Sequence, residues 1–307
     1  MVSCRHPDVA GAPASAGAGA HELGNNTSMN PADRKVDLQP VGSESLPVGP
    51  VVRPHPTIAG HYRDDADRQQ YVNGLFDRTA SDYDRIERIV SFGSGPWYRR
   101  EALRRAGVSG GCAVLDVGCG TGLLARESLR LIGPDGRLVG VDPSPGMMAQ
   151  AALGETRLVE GVAEALPVED RSFDFVTMGY ALRHVGDLRQ AFREFHRVLR
   201  PGGTVLLLEI TRPRRRLATA ALKAYMGSVV PLVARVASRG PETPAVWRYF
   251  WETVEACVPP QRVLDTLLDA GFTHVRREVT LGIFSEYLAV RPVDQPVGGA
   301  GDSVAAL

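Results

Sequence analysis

The stretch Ala113-Val114-Leu115-Asp116-Val117-Gly118-Cys119-Gly120-Thr121-Gly122 runs an apolar, β-branched strand straight into three glycines at alternate positions. Glycine is required there because the backbone must turn sharply and approach a ligand with no Cβ in the way. A dinucleotide fingerprint, G-x-G-x-x-G, needs its third glycine where Leu123 stands, which disfavours a nicotinamide oxidoreductase. A single such cluster can be no more than a tight turn, so its surroundings decide. Asp142 closes a second strand-like run in GVDPSPGMM, at about the spacing where Rossmann folds place an acid on ribose hydroxyls. Alone it could equally cap the following helix.

Outward from these two runs, short β-branched segments alternate with helical patterns, as in a parallel sheet with crossover helices. Strands are predicted over 113–117, 137–141, 157–160, 173–178 and 204–210, and helices over 122–132, 145–152 and 187–199. Arg200-Pro201-Gly202-Gly203 reads as the stop signal of the last of these helices. Near the end, VLDTLLDAGF suggests a helix, and VRREVTLGIFSEYLAVR a hairpin turning near Gly282. The expected fold class is α/β and Rossmann-like, with seven strands, mostly parallel with an antiparallel final strand, and helices on both faces.

Composition sets the limits of the folded unit. Of the 307 residues, 1–60 are rich in Ala, Gly, Pro and Ser and read as a disordered tail, as do 292–307. Residues 61–291 are then one domain. Lys plus Arg equals Asp plus Glu, 35 each, so no global field favours nucleic acid. Cys4, Cys112, Cys119 and Cys257 form no CxxC pair and no zinc-spaced cluster, which predicts a reduced compartment and no metal. No uninterrupted apolar run approaches the roughly 18 residues of a membrane span, and the start lacks a signal-peptide pattern, so the expected location is cytoplasmic.

VLDVGCGTG, GVDPSPGMM, VAEALPVEDRSFDFVTM, LRHV and FREFHRVLRPGGTVLLLEITRP together resemble class I S-adenosylmethionine-dependent methyltransferases. More closely they resemble the UbiE/COQ5 family, which C-methylates the ring of ubiquinone and menaquinone precursors. The likeness covers about residues 71–291. It implies S-adenosylmethionine contacts at Gly118, Gly120 and Thr121, at Asp142 for the ribose, at Val162 and Ala163 for the adenine, and at Gly179. It also implies Asp116 near the methionine amine and Tyr83 as an aromatic covering the cofactor, where a ring face suits a sulfonium. The chain departs from the family pattern at Ile86 and Glu87 (Met-Asn), Gly95 (His), Tyr98 (Trp) and His184 (Asn). These departures touch the acceptor side more than the cofactor side.

Carbon methylation of a phenol or hydroquinone requires an aligned ring carbon and a base or positive charge near the ring oxygen. Arg183 and His184 are the candidates, Arg183 to stabilise the oxyanion and His184 to take the proton. Cys119 has no paired base and reads as a small loop residue. The acceptor is expected to be a quinol or another hydroxylated lipophile; a terpenoid, polyketide or phenolic substrate, methylated on carbon or oxygen, is the alternative. The run LATAALKAYMGSVVPLVARVASRG, preceded by Arg212, Arg214, Arg215 and Arg216, reads either as an interfacial amphipathic helix making peripheral membrane contact or as an ordinary cover helix. Trp247, Tyr249, Phe250 and Trp251 read either as pocket wall or as core.

Overall fold

A computed structural model of the chain describes residues 50–58 and 60–294. Most of both predicted tails, 1–49 and 295–307, lies outside the described residues. Seven strands form one sheet in the order β3-β2-β1-β4-β5-β7-β6. They are β1 (Ala113–Val117), β2 (Arg137–Asp142), β3 (Arg157–Glu160), β4 (Phe173–Gly179), β5 (Leu199–Ile210), β6 (Thr273–Thr280) and β7 (Phe284–Val290). β1 to β5 pair in parallel; β7 runs antiparallel to β5, and β6 antiparallel to β7. The winding therefore reverses between β1 and β4, and at that switch point an open α/β sheet leaves a crevice beyond its carboxyl edge.

Successive residues of a strand point to opposite faces, and the cores follow that alternation. Leu115, Val117, Val176 and Leu207 join one buried cluster with Phe192 and Phe195 of α5 (Leu188–Val198). Val114, Phe175, Leu206 and Leu208 join the other, with Leu103 of α2 (Gly95–Ala106) and Ile132 of α3 (Leu123–Ile132). A third cluster lies in a helical cap made of α1 (Asp65–Val90), α6 (Arg216–Ala224), α7 (Val230–Ala237) and α8 (Thr243–Ala256). Trp247, Tyr249, Phe250 and Trp251 are all buried in it. α4 (Pro145–Ala149) and α9 (Pro260–Asp269) complete the layers.

Two expectations need correction. The strand predicted over 204–210 starts earlier: α5 does stop just before Arg200-Pro201-Gly202-Gly203, and these residues form the start of β5. Gly202 adopts a φ of 82° and donates to the Arg291 carbonyl at 2.9 Å, so the breaker residues bend the strand instead of interrupting it. The folded unit also begins before residue 61. Val52 is buried in the sheet core, its N–H donates to Asp187 Oδ1 at 3.0 Å, and its carbonyl accepts from Leu188 at 2.9 Å. Pro54 accepts from Val258 at 2.7 Å. Backbone pairing and one apolar anchor hold this proline-containing strap where composition suggests a tail.

α1 is the cover of the site, and its polar residues stitch it to the loops below. Arg68 donates to the carbonyls of Arg183 and Val185 at 2.9 and 3.0 Å, beyond β4. Asp77 accepts from Ser144 Oγ and Gly146 N at 2.5 and 2.8 Å, beyond β2. Seven residues on, Asp84 accepts from the Thr121 hydroxyl and from Arg126 at 2.6 Å, beyond β1. A spacing of two turns puts both acids on one helix face.

Candidate active site

Beneath α1, beyond the carboxyl ends of β1, β2 and β4, lies a cleft of about 1040 Å³, its open mouth included. Its floor is the glycine loop. Gly118, Gly120 and Gly122 have φ of 67°, 52° and 82°, the left-handed region that favours glycine. A Cβ on Gly118 would lie 2.5 Å from the Ala181 methyl, so the first glycine is fixed by close approach as well as by its turn.

The structure brings every predicted cofactor residue to this cleft: Asp116, Gly118, Gly120, Thr121, Asp142, Val162, Ala163 and Gly179 all line it. Asp142 Oδ2 accepts from Gly120 N at 2.7 Å and Oδ1 from Ser144 N at 2.9 Å. These bonds fix the carboxylate and leave lone pairs on both oxygens for vicinal hydroxyls. Burial pushes its pKa up to about 6. Asp116 is almost fully buried; Oδ1 accepts from Thr177 at 2.8 Å, while Oδ2 has no partner. Burial, aided by the nearby Asp142 charge, raises its carboxyl to about 7.

Facing this acid side is Arg99, buried, with Nη2 on Glu87 at 2.8 Å and Nη1 without a partner. Orphaned buried polar atoms are costly, so an acid and a base left unsatisfied in one cleft fit a zwitterion. The amino-acid end of S-adenosylmethionine is such a group, with Asp116 for its ammonium and Arg99 for its carboxylate. Arg99 was not legible as a site residue; nor were Phe76 and Tyr180. Tyr180 follows β4 with φ of 61°, an uncommon conformation for a non-glycine residue and one that clusters at functional sites.

The cofactor-covering aromatic and the two predicted acceptor-side residues separate. Tyr83 lines the cleft, stacked flat on Trp247 at 5.3 Å, and burial lifts its phenol to about 12, so it stays neutral. His184 also lines the cleft, edge-on to Phe76 at 5.1 Å and stacked on Tyr249 at 5.7 Å. Burial, then the Arg183 and Arg68 charges, hold its imidazole well below the usual range, so it is neutral.

Arg183 does not reach the cleft, contrary to the expectation of a role on the acceptor. It is fully buried, paired with Glu209, bonded to Thr253 Oγ1 at 3.3 Å and laid over the Phe250 ring at 4.2 Å. The short 3₁₀ turn Leu182–His184 sends the two neighbours different ways, Arg183 inward and His184 to the cleft. The Cys119 thiol is buried, and burial pushes its pKa up, which removes thiolate chemistry. Among the described residues no group of three His, Cys, Asp or Glu side chains could hold a metal ion.

The sheet order, the glycine loop after β1 and the acid closing β2 define a class I S-adenosylmethionine-dependent methyltransferase. Solved structures agree on the fold: a possible histamine N-methyltransferase from Thermotoga maritima aligns with TM-score 0.50 at 20% identity, over 71% of this chain and 98% of its own. A putative methyltransferase from Methanococcus maripaludis aligns with TM-score 0.50 at 21% identity, over 72% and 96%. The chain belongs to the ubiE/COQ5 methyltransferase family, whose sequence profile matches residues 64–291. It is 33% identical to the ubiquinone/menaquinone biosynthesis C-methyltransferase UbiE of Hahella chejuensis, over 66% of this chain and 83% of that protein. It is 32% identical to a demethylmenaquinone methyltransferase of Staphylococcus aureus, over 76% of this chain and 99% of that protein.

Proposed function

We propose that this methyltransferase acts on a ring carbon of a quinol-type or other hydroxylated lipophilic acceptor. The observation that carries this reading is His184, a neutral imidazole on the cleft wall between the rings of Phe76 and Tyr249. A neutral imidazole accepts the proton of a ring hydroxyl, and deprotonation pushes electron density onto the adjacent carbon. Aromatic walls suit a flat apolar ring. S-adenosylmethionine, when bound, supplies the methyl group and its own leaving group. Tyr83, braced by Trp247, presents a ring face where a sulfonium is favoured. Arg183 acts at one remove, holding the turn that aims His184. The names of the Hahella and Staphylococcus relatives point to the same acceptor class.

One observation favours the alternative of a terpenoid, polyketide or phenolic acceptor: His184, which stands where the family pattern has Asn, lines the cleft. The experiment is transfer from labelled S-adenosylmethionine to demethylmenaquinol and to a panel of phenolic and terpenoid acceptors, with the methylated atom located by mass spectrometry. Label on the quinol ring carbon supports the proposal. Label found only on a hydroxyl, or only on non-quinol acceptors, overturns it.

A further inference from the structure

Acids and bases balance over the whole chain, 35 against 35, but not locally. Residues 211–241 contain no Asp or Glu. Arg212, Arg214, Arg215 and Arg216 cluster at the start of α6, and Lys223, Arg235 and Arg239 follow; all are exposed. Among the described residues only Lys223 of this set forms a side-chain ion pair, with Glu255 at 2.7 Å.

α6, the π turn Tyr225–Val229 and α7 form one helical stretch, Arg216–Ala237. Leu222, Met226, Val230 and Ala234 are its buried row, in the core cluster shared with α8. Rows at four-residue spacing drift around an α-helix, and the extra residue of a π turn offsets that drift. The outer side carries Leu217, Leu232 and Val236, 87%, 60% and 80% exposed. Tyr225 donates to the Val90 carbonyl at 2.5 Å, tying the stretch to the end of α1, where Ile89 and Phe92 are exposed as well.

We infer that this face docks on an anionic phospholipid bilayer. Exposed apolar side chains beside unpaired cations match an interface in which the former enter the acyl boundary and the latter meet headgroup phosphates. A second copy of the chain is a poor occupant, because a two-fold interface would set the same cations against each other. By length and composition the stretch could cross a membrane, but its inner row is packed into the domain, so it lies along the surface. α8 backs it, and Trp247 of α8 stacks on Tyr83 of the cleft. Docking therefore brings the aromatic cover of the active site to the lipid, the route a lipophilic acceptor needs. The docking itself does not depend on which acceptor is used.

The test is flotation of the full chain with vesicles of phosphatidylcholine alone and of phosphatidylcholine with phosphatidylglycerol as the minority lipid, without any acceptor. Binding should require phosphatidylglycerol and weaken with salt. Arg214→Glu/Arg215→Glu/Arg216→Glu should reduce it about tenfold or more. Leu217→Ser/Leu232→Ser/Val236→Ser should reduce it too, with S-adenosylmethionine affinity by calorimetry unchanged in both variants. Absence of binding at low salt, or equal binding by both variants, overturns the inference. So does a dimer seen by light scattering and abolished by the serine variant, which assigns the face to a second copy. A failed search for acceptors leaves the vesicle result standing.

Discussion

Glu87 and Arg99 close a buried ion pair at 2.8 Å directly over the α-carbon of Gly95. A Cβ at Gly95 would lie 2.5 Å from Glu87 Oε1 and 2.6 Å from Arg99 Nη1. Two departures from the family pattern, Glu87 and Gly95, are thus one feature: the pair needs the space the glycine leaves. In the first turn of a helix, glycine to alanine ordinarily stabilises. Gly95→Ala should instead push both side-chain ends off their rotamers, at about 0.5–1.5 kcal/mol, lowering the melting temperature by about 2–4 °C per kcal/mol. It should also weaken S-adenosylmethionine binding, because Arg99 must shift. A variant as stable as wild type with unchanged affinity would show that the pair does not hold Arg99 in place.

The two raised carboxyls make both stability and cofactor binding depend on pH. Asp116 at about 7 and Asp142 at about 6 hold protons in the folded chain that an unfolded chain, with Asp near 3.9, has released. The folded state therefore binds more protons across this window, and the unliganded protein loses stability as pH rises from about 4 to about 7. Cofactor binding has the opposite sign. An ammonium favours ionised Asp116, so affinity should rise with pH through about 7. Asp116→Asn should flatten this dependence and weaken binding about 10- to 100-fold at the alkaline end. Asp142→Ala should cost about 1.5–3 kcal/mol of affinity. Calorimetric titration across pH decides both, and an Asp116→Asn profile parallel to wild type would detach that carboxyl from the linkage.

The sheet and the cofactor side were legible because their signals are local. An apolar run ending in alternate glycines is a strand and a close-approach loop whatever surrounds it, and Asp142 sits at a fixed offset from it. The cover was not legible. Asp77 and Asp84 look like solvated acids on a polar helix until the loops holding Ser144, Gly146 and Thr121 are folded beneath them. The strap from Val51 to Ile58 reads as tail in the sequence because proline-rich composition hides backbone pairing to α5 and Val258. For Leu182-Arg183-His184, adjacency to the site was readable, but which of two neighbours turns inward depends on Glu209 of β5, distant in sequence.

Arg183→Ala should therefore behave as a core mutation. Removing the guanidinium strands a buried carboxylate at Glu209, a loss of about 3–5 kcal/mol. Arg183→Met with Glu209→Leu should recover most of it, since replacing both charges with apolar groups of similar size is often neutral. Thermal unfolding of the wild type and these two variants separates the cases. A folded, fully stable Arg183→Ala with a large rate defect would restore the direct role on the acceptor.

His184 carries the chemical prediction. Its imidazole is neutral throughout the neutral range, held there by burial and by Arg183 and Arg68, so any rate limb it contributes lies below its ordinary pKa of about 6.5. As the group that takes the acceptor proton, it should show an approximately 10²–10⁴-fold loss in single-turnover methyl transfer on His184→Ala, with cofactor affinity close to wild type. His184→Asn keeps a hydrogen-bonding group on the cleft wall and should retain more activity than the alanine variant, without the acid limb. The measurement is transfer from labelled S-adenosylmethionine across pH, run beside Asp116→Asn so that the limb near 7 from that carboxyl is not mistaken for the imidazole. If the asparagine variant keeps the wild-type rate and the full profile, the proton goes elsewhere, and His184 only shapes the wall between Phe76 and Tyr249.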